Sequence, residues 1–385
     1  MNIIKRYFFS YCRYVLRKEK ESFLFKTIQL ASFNRVANEI PVKGNTVAFV
    51  IPEIGKTAGG GSSILRIGTY LGKHGFNVLY VVYNSNDLKR IQLQATNNIG
   101  HNNLVFLCFD DAQKLNFDIV IATSWPSVYY AKMLNGYKCY FVQDYEPLFY
   151  EVGDEYYLAK STYELGFHMI CLGEWNKKKI MEQCKDKDIR IDSIEFPYEP
   201  SEYKLVKRDY SSYMSKKTFK LAVYIKKTGR RVPLLTQCIL LRCKEMFKAD
   251  GLDLDISFYG LNAKEKVLVG NNLGRLTKKE LFELYSQADF GMVASMTNIS
   301  LVPFEMLATG LPVIEFKEGS YSFFLGDDTA ILIDMQADSL YSQLKKHIET
   351  PNILDQMMNR AHERISALSW DKSCQQFVEI INHLY

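Results

Sequence analysis

Several features are missing from this 385-residue sequence, and each absence narrows its function. No uninterrupted apolar run reaches the ~18 residues of a membrane span. The N-terminus has no apolar core followed by a small-residue cleavage site, so the expectation is a cytoplasmic protein. None of the cysteines (Cys12, Cys108, Cys139, Cys171, Cys184, Cys238, Cys243 and Cys374) forms a CxxC pair. Most lie in apolar segments, which points to reduced thiols rather than a disulfide frame or a zinc site. There is no low-complexity segment and no short repeat. Beyond the first thirty residues no basic stripe runs along the chain, which argues against nucleic-acid binding.

Two phosphate-binding motifs are also absent, although "GKTAGGGSS" (55–63) looks like parts of both. A Walker loop needs glycine five positions before Gly55, where Val50 stands. A dinucleotide fingerprint beginning at Gly59 and Gly61 needs glycine at 64, where Ile64 stands, and no acidic residue closes the second strand to read a ribose. A glycine-rich turn between a strand and a helix still lets backbone N–H groups face an anion. Three adjacent glycines exceed what a tight turn needs, so Gly59, Gly60 and Gly61 are candidate ligand neighbours.

What is present is an alternation. "TVAFVI" (46–51), "NVLYVVY" (77–83), "NLVFLCF" (103–109), "FDIVIAT" (117–123), "KCYFVQD" (138–144) and "FHMICLG" (167–173) read as short strands, with helices between them, as in Ile64, Ile67 and Leu71 at helical spacing. A polar, turn-rich break at 195–204 follows. The pattern then restarts with strands at 220–226, 254–260, 289–295 and 312–316, and helices at 233–247, 278–288 and 303–310. This predicts two doubly wound α/β domains, each with a parallel sheet covered on both faces. The expected boundaries are a basic amphipathic segment over 1–40, a first domain over 41–199, a second over 200–368, and a closing helix over 369–385 that packs back on the first domain.

The charge of +5 sits in residues 1–30, where Lys5, Arg6, Arg13, Arg17, Lys18, Lys20 and Lys26 oppose Glu19 and Glu21 among Tyr, Phe, Ile and Leu. Such a helix can lie on an anionic membrane surface, or it can be an ordinary packed or solvated helix. In the second half, Lys226, Lys227, Arg230 and Arg231 follow the first strand, at the edge where open α/β sheets bind ligands, and cations there can neutralise a diphosphate. Glu305 lies one turn into a helix that starts near Ser300-Leu301-Val302. Asp253-Leu254-Asp255 sits at a strand start, where Asp is common, so no metal is implied and no cofactor is expected. Gln143, Asp144 and Glu146 end a strand of the first half and are candidate cleft-lining groups, with a turn fixed by Pro147 as the plainer reading.

The stretch "GNNLGRLTKKELFELYSQADFGMVASMTNISLVPFEMLATGLPVIEF" (270–316) resembles the nucleotide-sugar half of retaining glycosyltransferases of family 4, which have the GT-B fold, and the resemblance extends loosely over 45–385. "YFVQDYEPLFY" (140–150) and "YIKKTGRR" (224–231) resemble the rhamnosyltransferase-like branch that builds bacterial surface polysaccharides. The resemblance implies two Rossmann-like domains with a cleft between them and a C-terminal crossing helix. It implies that Lys226 with Arg230 or Arg231 grips a diphosphate, and that Gly274, Arg275 and Leu276 hold the base. Asn298, Ser300 and Leu301 would hold sugar and phosphate, Glu305 would bind ribose, and Gly59–Gly61 would face the donor from across the cleft. The implied reaction is metal-independent transfer of a sugar, L-rhamnose from dTDP-rhamnose as the first expectation, to a lipid-linked glycan at the inner face of the plasma membrane.

Two positions depart from that pattern. Thr297 stands where many relatives carry a second Glu. Trp125, in "ATSWPS", stands where relatives often carry a catalytic-domain His. His101 and His168 flank strands without acidic neighbours, so Asp144 and Glu146 are the catalytic candidates, with Gln143 and Trp125 on the acceptor side. A degenerate binding or scaffold subunit is a further reading. A dehydrogenase is another, which the failed fingerprint opposes.

Overall fold

The computed structural model describes residues 3–39, 44–54, 59–100, 103–185 and 188–384. Gly55-Lys56-Thr57 and His101 lie outside the described residues. The chain divides into two compact units. Unit 1 comprises Met1–Leu172, Asn176–Ile194 and Cys374–Tyr385, and unit 2 comprises Gly173–Trp175 and Glu195–Ser373.

Unit 1 holds seven strands: β1 Thr46–Ile51, β2 Asn77–Val82, β3 Val105–Cys108, β4 Asn116–Ala122, β5 Asn135–Val142, β6 His168–Leu172 and β7 Ile191–Ile194. They form one parallel sheet in the order β3-β2-β1-β4-β5-β6-β7. Five of the six residues of β1 are buried, as expected for a strand covered by helices on both faces. The closing helix, Trp370–Asn382, brings Phe377 against Phe49 and Phe141, at ring separations of 6.5 and 5.6 Å, inside the core of this unit.

Unit 2 repeats the plan with β8 Thr218–Tyr224, β9 Asp253–Tyr259, β10 Asn271–Asn272, β11 Phe290–Met292, β12 Val313–Phe316 and β13 Ile331–Ile333. They too form a parallel sheet, in the order β10-β9-β8-β11-β12-β13. In both sheets the order reverses beside the first strand, between β1 and β4 and between β8 and β11. Loops leaving the carboxyl ends of such a strand pair diverge to opposite faces and leave a crevice that accepts ligands.

A carboxylate pins each of these central pairs at its opposite end. Asp118 of β4 accepts the Thr46 N–H at the start of β1, at 2.8 Å. Asp289, just before β11, accepts the Lys220 N–H of β8 at 2.8 Å and the Lys216 ammonium at 2.6 Å, and it is buried. Asp289 thereby fixes the register in which the loops after β8 and β11 emerge together.

Replacing Asp289 with Ala leaves the Lys220 N–H without its acceptor and is expected to cost roughly 1–3 kcal/mol of stability. Asp255→Ala, at an exposed position near the start of β9, is expected to stay within about 0.5 kcal/mol. Denaturant unfolding of the two variants checks this, and equal effects would contradict the pinning role.

Candidate functional site

In unit 1 the helix after β1 runs Gly59–Lys73, so the three glycines are its first turn and not the loop before it. Their N–H groups belong to the four at a helix start that have no intrahelical partner. A Cβ on Gly60 would stand 3.1 Å from the Gln143 side-chain oxygen, so the bare glycine backbone lets the Gln143 amide approach the helix start.

The loop after β5 carries Gln143, Asp144 and Glu146. Asp144 is buried and accepts the Tyr145 N–H at 2.8 Å. Glu146 is also buried, and its carboxylate accepts the Trp125 N–H at 2.6 Å. That N–H opens the helix Trp125–Ala131 after β4, a favourable place for a negative charge. The Trp125 indole is buried and donates to the Tyr150 hydroxyl at 2.9 Å. Glu146 and Trp125 therefore tie the loops after β4 and β5 together.

The expectation that His168 lacks an acidic neighbour is overturned. Its Nε2 lies 2.7 Å from the Asp192 carboxylate and its Nδ1 3.3 Å from the Tyr137 hydroxyl. Asp192 lies 24 residues further on, in β7, and the parallel pairing of β6 with β7 brings it close. The pair sits where β6 and β7 begin, at the opposite edge from the loops that follow the strands.

In unit 2 the turn after β8 separates the four basic residues into different roles. Lys226 is exposed, with its ammonium 5.6 Å from the centre of the Tyr224 ring. Lys227 pairs with Glu265 at 2.6 Å. Arg230 is half-buried. Arg231 is buried and donates to the Ala294 carbonyl at 2.9 Å, which joins the loop after β8 to the loop after β11. Val232, with φ of 36°, then turns the chain into the helix Pro233–Ala249.

The loop after β11 leads to the helix Leu301–Ala308, which starts near Ser300-Leu301-Val302 as expected and ends two residues before the predicted 310, where Thr309 and Gly310, with φ of 75° at the glycine, terminate it. Ser300 is its N-cap, and the buried Ser300 Oγ has no hydrogen-bond partner among the described residues. Asn298 is buried in the same loop. Glu305, on this helix, lies among tyrosines. Burial pushes its carboxyl up to about 7, Glu202 pushes the same way, and Lys278 with the Tyr203 and Tyr285 hydroxyls pulls it back. The Tyr285 hydroxyl lies 2.7 Å from that of Tyr259, and the buried Tyr198 hydroxyl has no partner among the described residues. Buried polar atoms without partners are unusual and mark places where a ligand hydroxyl or phosphate oxygen can bind.

Gly274, Arg275 and Leu276 follow β10. Gly274 has φ of 80°, and a Cβ there would meet Ala263 at 2.9 Å, so this tight turn requires glycine. Thr277 then caps the helix Lys278–Gln287 with a reciprocal Glu280 bond.

Sequence reasoning missed Glu315. It sits in β12, fully buried, with Ser295 donating to it through both N–H (2.9 Å) and Oγ (2.6 Å). Burial pushes its carboxyl up to about 8, against the pull of Ser295 and of Arg231. A lone carboxylate in the apolar run "PVIEF" was the available signal. The tyrosine cluster was not legible, because Tyr198, Tyr203, Tyr259 and Tyr285 are scattered over 88 positions of sequence.

These paired sheets, with their ligand-accepting edges, match known folds. Over 89% of this chain and 99% of the other, the structure superposes on sucrose-phosphate synthase from Thermosynechococcus elongatus with a TM-score of 0.65 at 12% identity. The fold is that of the GT-B glycosyltransferases. A glycosyltransferase from Rickettsia africae matches with a TM-score of 0.63 at 13% identity, covering 89% of this chain and 99% of that one. Anabaena Alr3699/HepE in complex with UDP-glucose matches with 0.63 at 12% identity, covering 88% and 99%. Among curated proteins, O-antigen biosynthesis protein RfbC of Myxococcus xanthus is 23% identical over 355 residues, which is 85% of this chain and 26% of that protein. The chain thus spans about a quarter of the length of that relative. No protein-family model matches the chain.

Glu315 provides a test through pH. Its native carboxyl, near 8, keeps a proton that an unfolded chain, near 4.5, has released. Between those values the folded state binds more protons, so stability falls as pH rises. Glu315→Gln keeps an acceptor for the Ser295 N–H but cannot ionise. Its unfolding temperature is expected to fall less than that of the wild type between pH 5 and pH 8. Parallel curves would show that Glu315 does not titrate in this window.

Proposed function

We propose that this protein is a metal-independent retaining glycosyltransferase of the family 4 type that moves a sugar from a nucleotide diphosphate donor to a hydroxyl of a lipid-linked surface glycan. The observation that supports the reading is the pairing of β8 with β11 at the switch point of unit 2, from which the Lys226–Arg231 turn and the loop to the Ser300-capped helix carrying Glu305 both leave, joined by the Arg231–Ala294 bond. A nucleotide sugar needs these three chemistries: cations for the diphosphate, N–H groups for phosphate or sugar oxygens, and a carboxylate for ribose hydroxyls.

Breaking the donor's anomeric C–O bond leaves negative charge on the diphosphate. Lys226 and Arg230 offset that charge, together with the N–H groups at the start of Leu301–Ala308. Arg231, committed to the Ala294 carbonyl, holds the two loops in register. Gly274, Arg275 and Leu276 provide the turn for the base. Asp144, with Gln143 beside it, is the unit 1 group proposed to orient the acceptor hydroxyl or stabilise positive charge on the sugar, and Gly59–Gly61 offer N–H groups at a helix start of the same unit. Glu146 acts by fixing Trp125 and the loop around it.

L-rhamnose from dTDP-rhamnose remains the first reading of the donor, supported by the likeness of 140–150 and 224–231 to the rhamnosyltransferase branch. A uridine donor is the second, supported by the neighbour solved with UDP-glucose. The relative named for O-antigen biosynthesis supports a surface-glycan acceptor. No helix among the described residues is long and apolar enough to cross a membrane. Peripheral attachment through residues 1–30 is supported by the exposed Leu16, Phe25 and Ile28 beside the basic side chains of that helix.

Lys226→Ala and Glu305→Ala are each expected to weaken donor affinity by about 10–100-fold, the scale of a lost charge-assisted hydrogen bond. Calorimetric titration with dTDP-rhamnose and UDP-glucose measures this. Unchanged affinity in both variants would contradict the donor site.

A further inference from the structure

A cavity of 1060 Å³ in unit 1 is lined by none of the residues proposed above for the donor or the catalytic step. One wall is the helix Ile3–Leu30, which presents Tyr14, Lys18, Ser22, Lys26 and Leu30 to the cavity. These residues recur every fourth position, so a single continuous helix face lines it. The same helix is held to the unit elsewhere, by Lys20 on Glu155 at 2.6 Å and by the buried Thr27. The opposite wall is the carboxyl edge of the sheet, with Tyr83 to Asn86 after β2 and Phe109 and Asp110 after β3. Tyr130 completes it, stacked on Tyr83 at 4.5 Å and edge-on to Phe109 at 5.0 Å.

The lining selects a chemical class. Its volume is at the upper end of small-molecule pockets, roughly 300–1,000 Å³, and so suits a ligand of several rings. Lys18 and Lys26 are balanced by Glu19 and Asp110, and none of the four has an ion-pair partner among the described residues. A phosphate or an anionic lipid surface would call for a net positive lining, which this cavity does not have. Aromatic rings such as Tyr14, Phe23 and Phe109 beside the amides of Asn84 and Asn86, the hydroxyls of Ser22 and Ser85 and isolated charges suit a neutral, hydroxyl-rich molecule, whose C–H faces pack on rings while its hydroxyls find donors and acceptors.

We infer that this cavity binds an uncharged oligosaccharide segment of the acceptor, with the N-terminal helix as one wall of the glycan site. The inference rests on the glycosyltransferase reading. It adds a glycan-binding function to residues 14–30 that attachment to a membrane does not require.

The test uses the full chain, a printed array of neutral and acidic oligosaccharides, and a Ser22→Trp variant that fills the cavity from an exposed helix position. A parallel thermal-shift measurement with UDP and dTDP, and vesicles of phosphatidylglycerol and phosphatidylethanolamine, complete the comparison. The wild type is expected to retain neutral oligosaccharides. Ser22→Trp, and separately Tyr14→Ala, are expected to weaken that binding by about tenfold or more while leaving the nucleotide-induced shift in place. Binding of nucleotides without any neutral oligosaccharide would overturn the cavity assignment and leave the transferase reading standing. Binding of neither would overturn both. Neutral-glycan binding unaffected by both substitutions, or loss of vesicle binding without loss of glycan binding, would also overturn the assignment.

Discussion

The architecture depends on the parallel pairing of the first strand of each sheet with the fourth strand, in register. Asp118 and Asp289 hold that pairing where the strands begin, by accepting backbone N–H groups across the pair. Their effect appears at the far ends of the strands, where the loops after β1 and β4, and after β8 and β11, leave the sheet side by side. A one-residue slip would turn every side chain of a strand to the opposite face, and Arg231 in the loop after β8 would no longer meet the Ala294 carbonyl in the loop after β11.

Above that register, the second unit is organised by buried carboxylates. Glu315 holds Ser295, and Arg231 spans to Ala294, so the loop that carries Asn298 and Ser300 is fixed from below at adjacent residues. Glu305 is placed among tyrosines, with its carboxyl near neutrality. A ligand hydroxyl that donates to this carboxylate stabilises its charged form and offsets part of the burial cost. On the proposed reading, in which Glu305 binds the donor ribose, donor binding and ionisation of Glu305 are coupled. Thr297 is buried in the loop after β11, and its carbonyl accepts the Ser320 hydroxyl.

The sequence revealed most of the fold, because long apolar strands alternating with amphipathic helices have few other solutions. The strands it failed to reveal are short. Asn271–Asn272 is two residues long and wholly polar, and Ile191–Ile194 and Ile331–Ile333 are four and three residues long, too few for periodicity to register. The residues proposed for the donor were singled out because they sit next to strand ends and in order along one stretch of chain. Legibility failed where partners are distant in sequence. Asp192 beside His168, the tyrosines around Glu305 and the helix face over Tyr83 and Tyr130 are each assembled by packing. Glu146 was singled out by its position near a strand end, and its bond from the Trp125 N–H, 21 residues away in sequence, was not legible.

The central claim is that this chain acts on a nucleotide-sugar donor, and release of nucleoside diphosphate tests it most directly. The purified chain, incubated with UDP-, dTDP- and GDP-sugars and an extract of lipid-linked glycans, should liberate the diphosphate of one nucleotide class, and Glu305→Ala should abolish that release. Absence of release and of binding with every nucleotide sugar, alongside measurable NAD binding, would contradict the account.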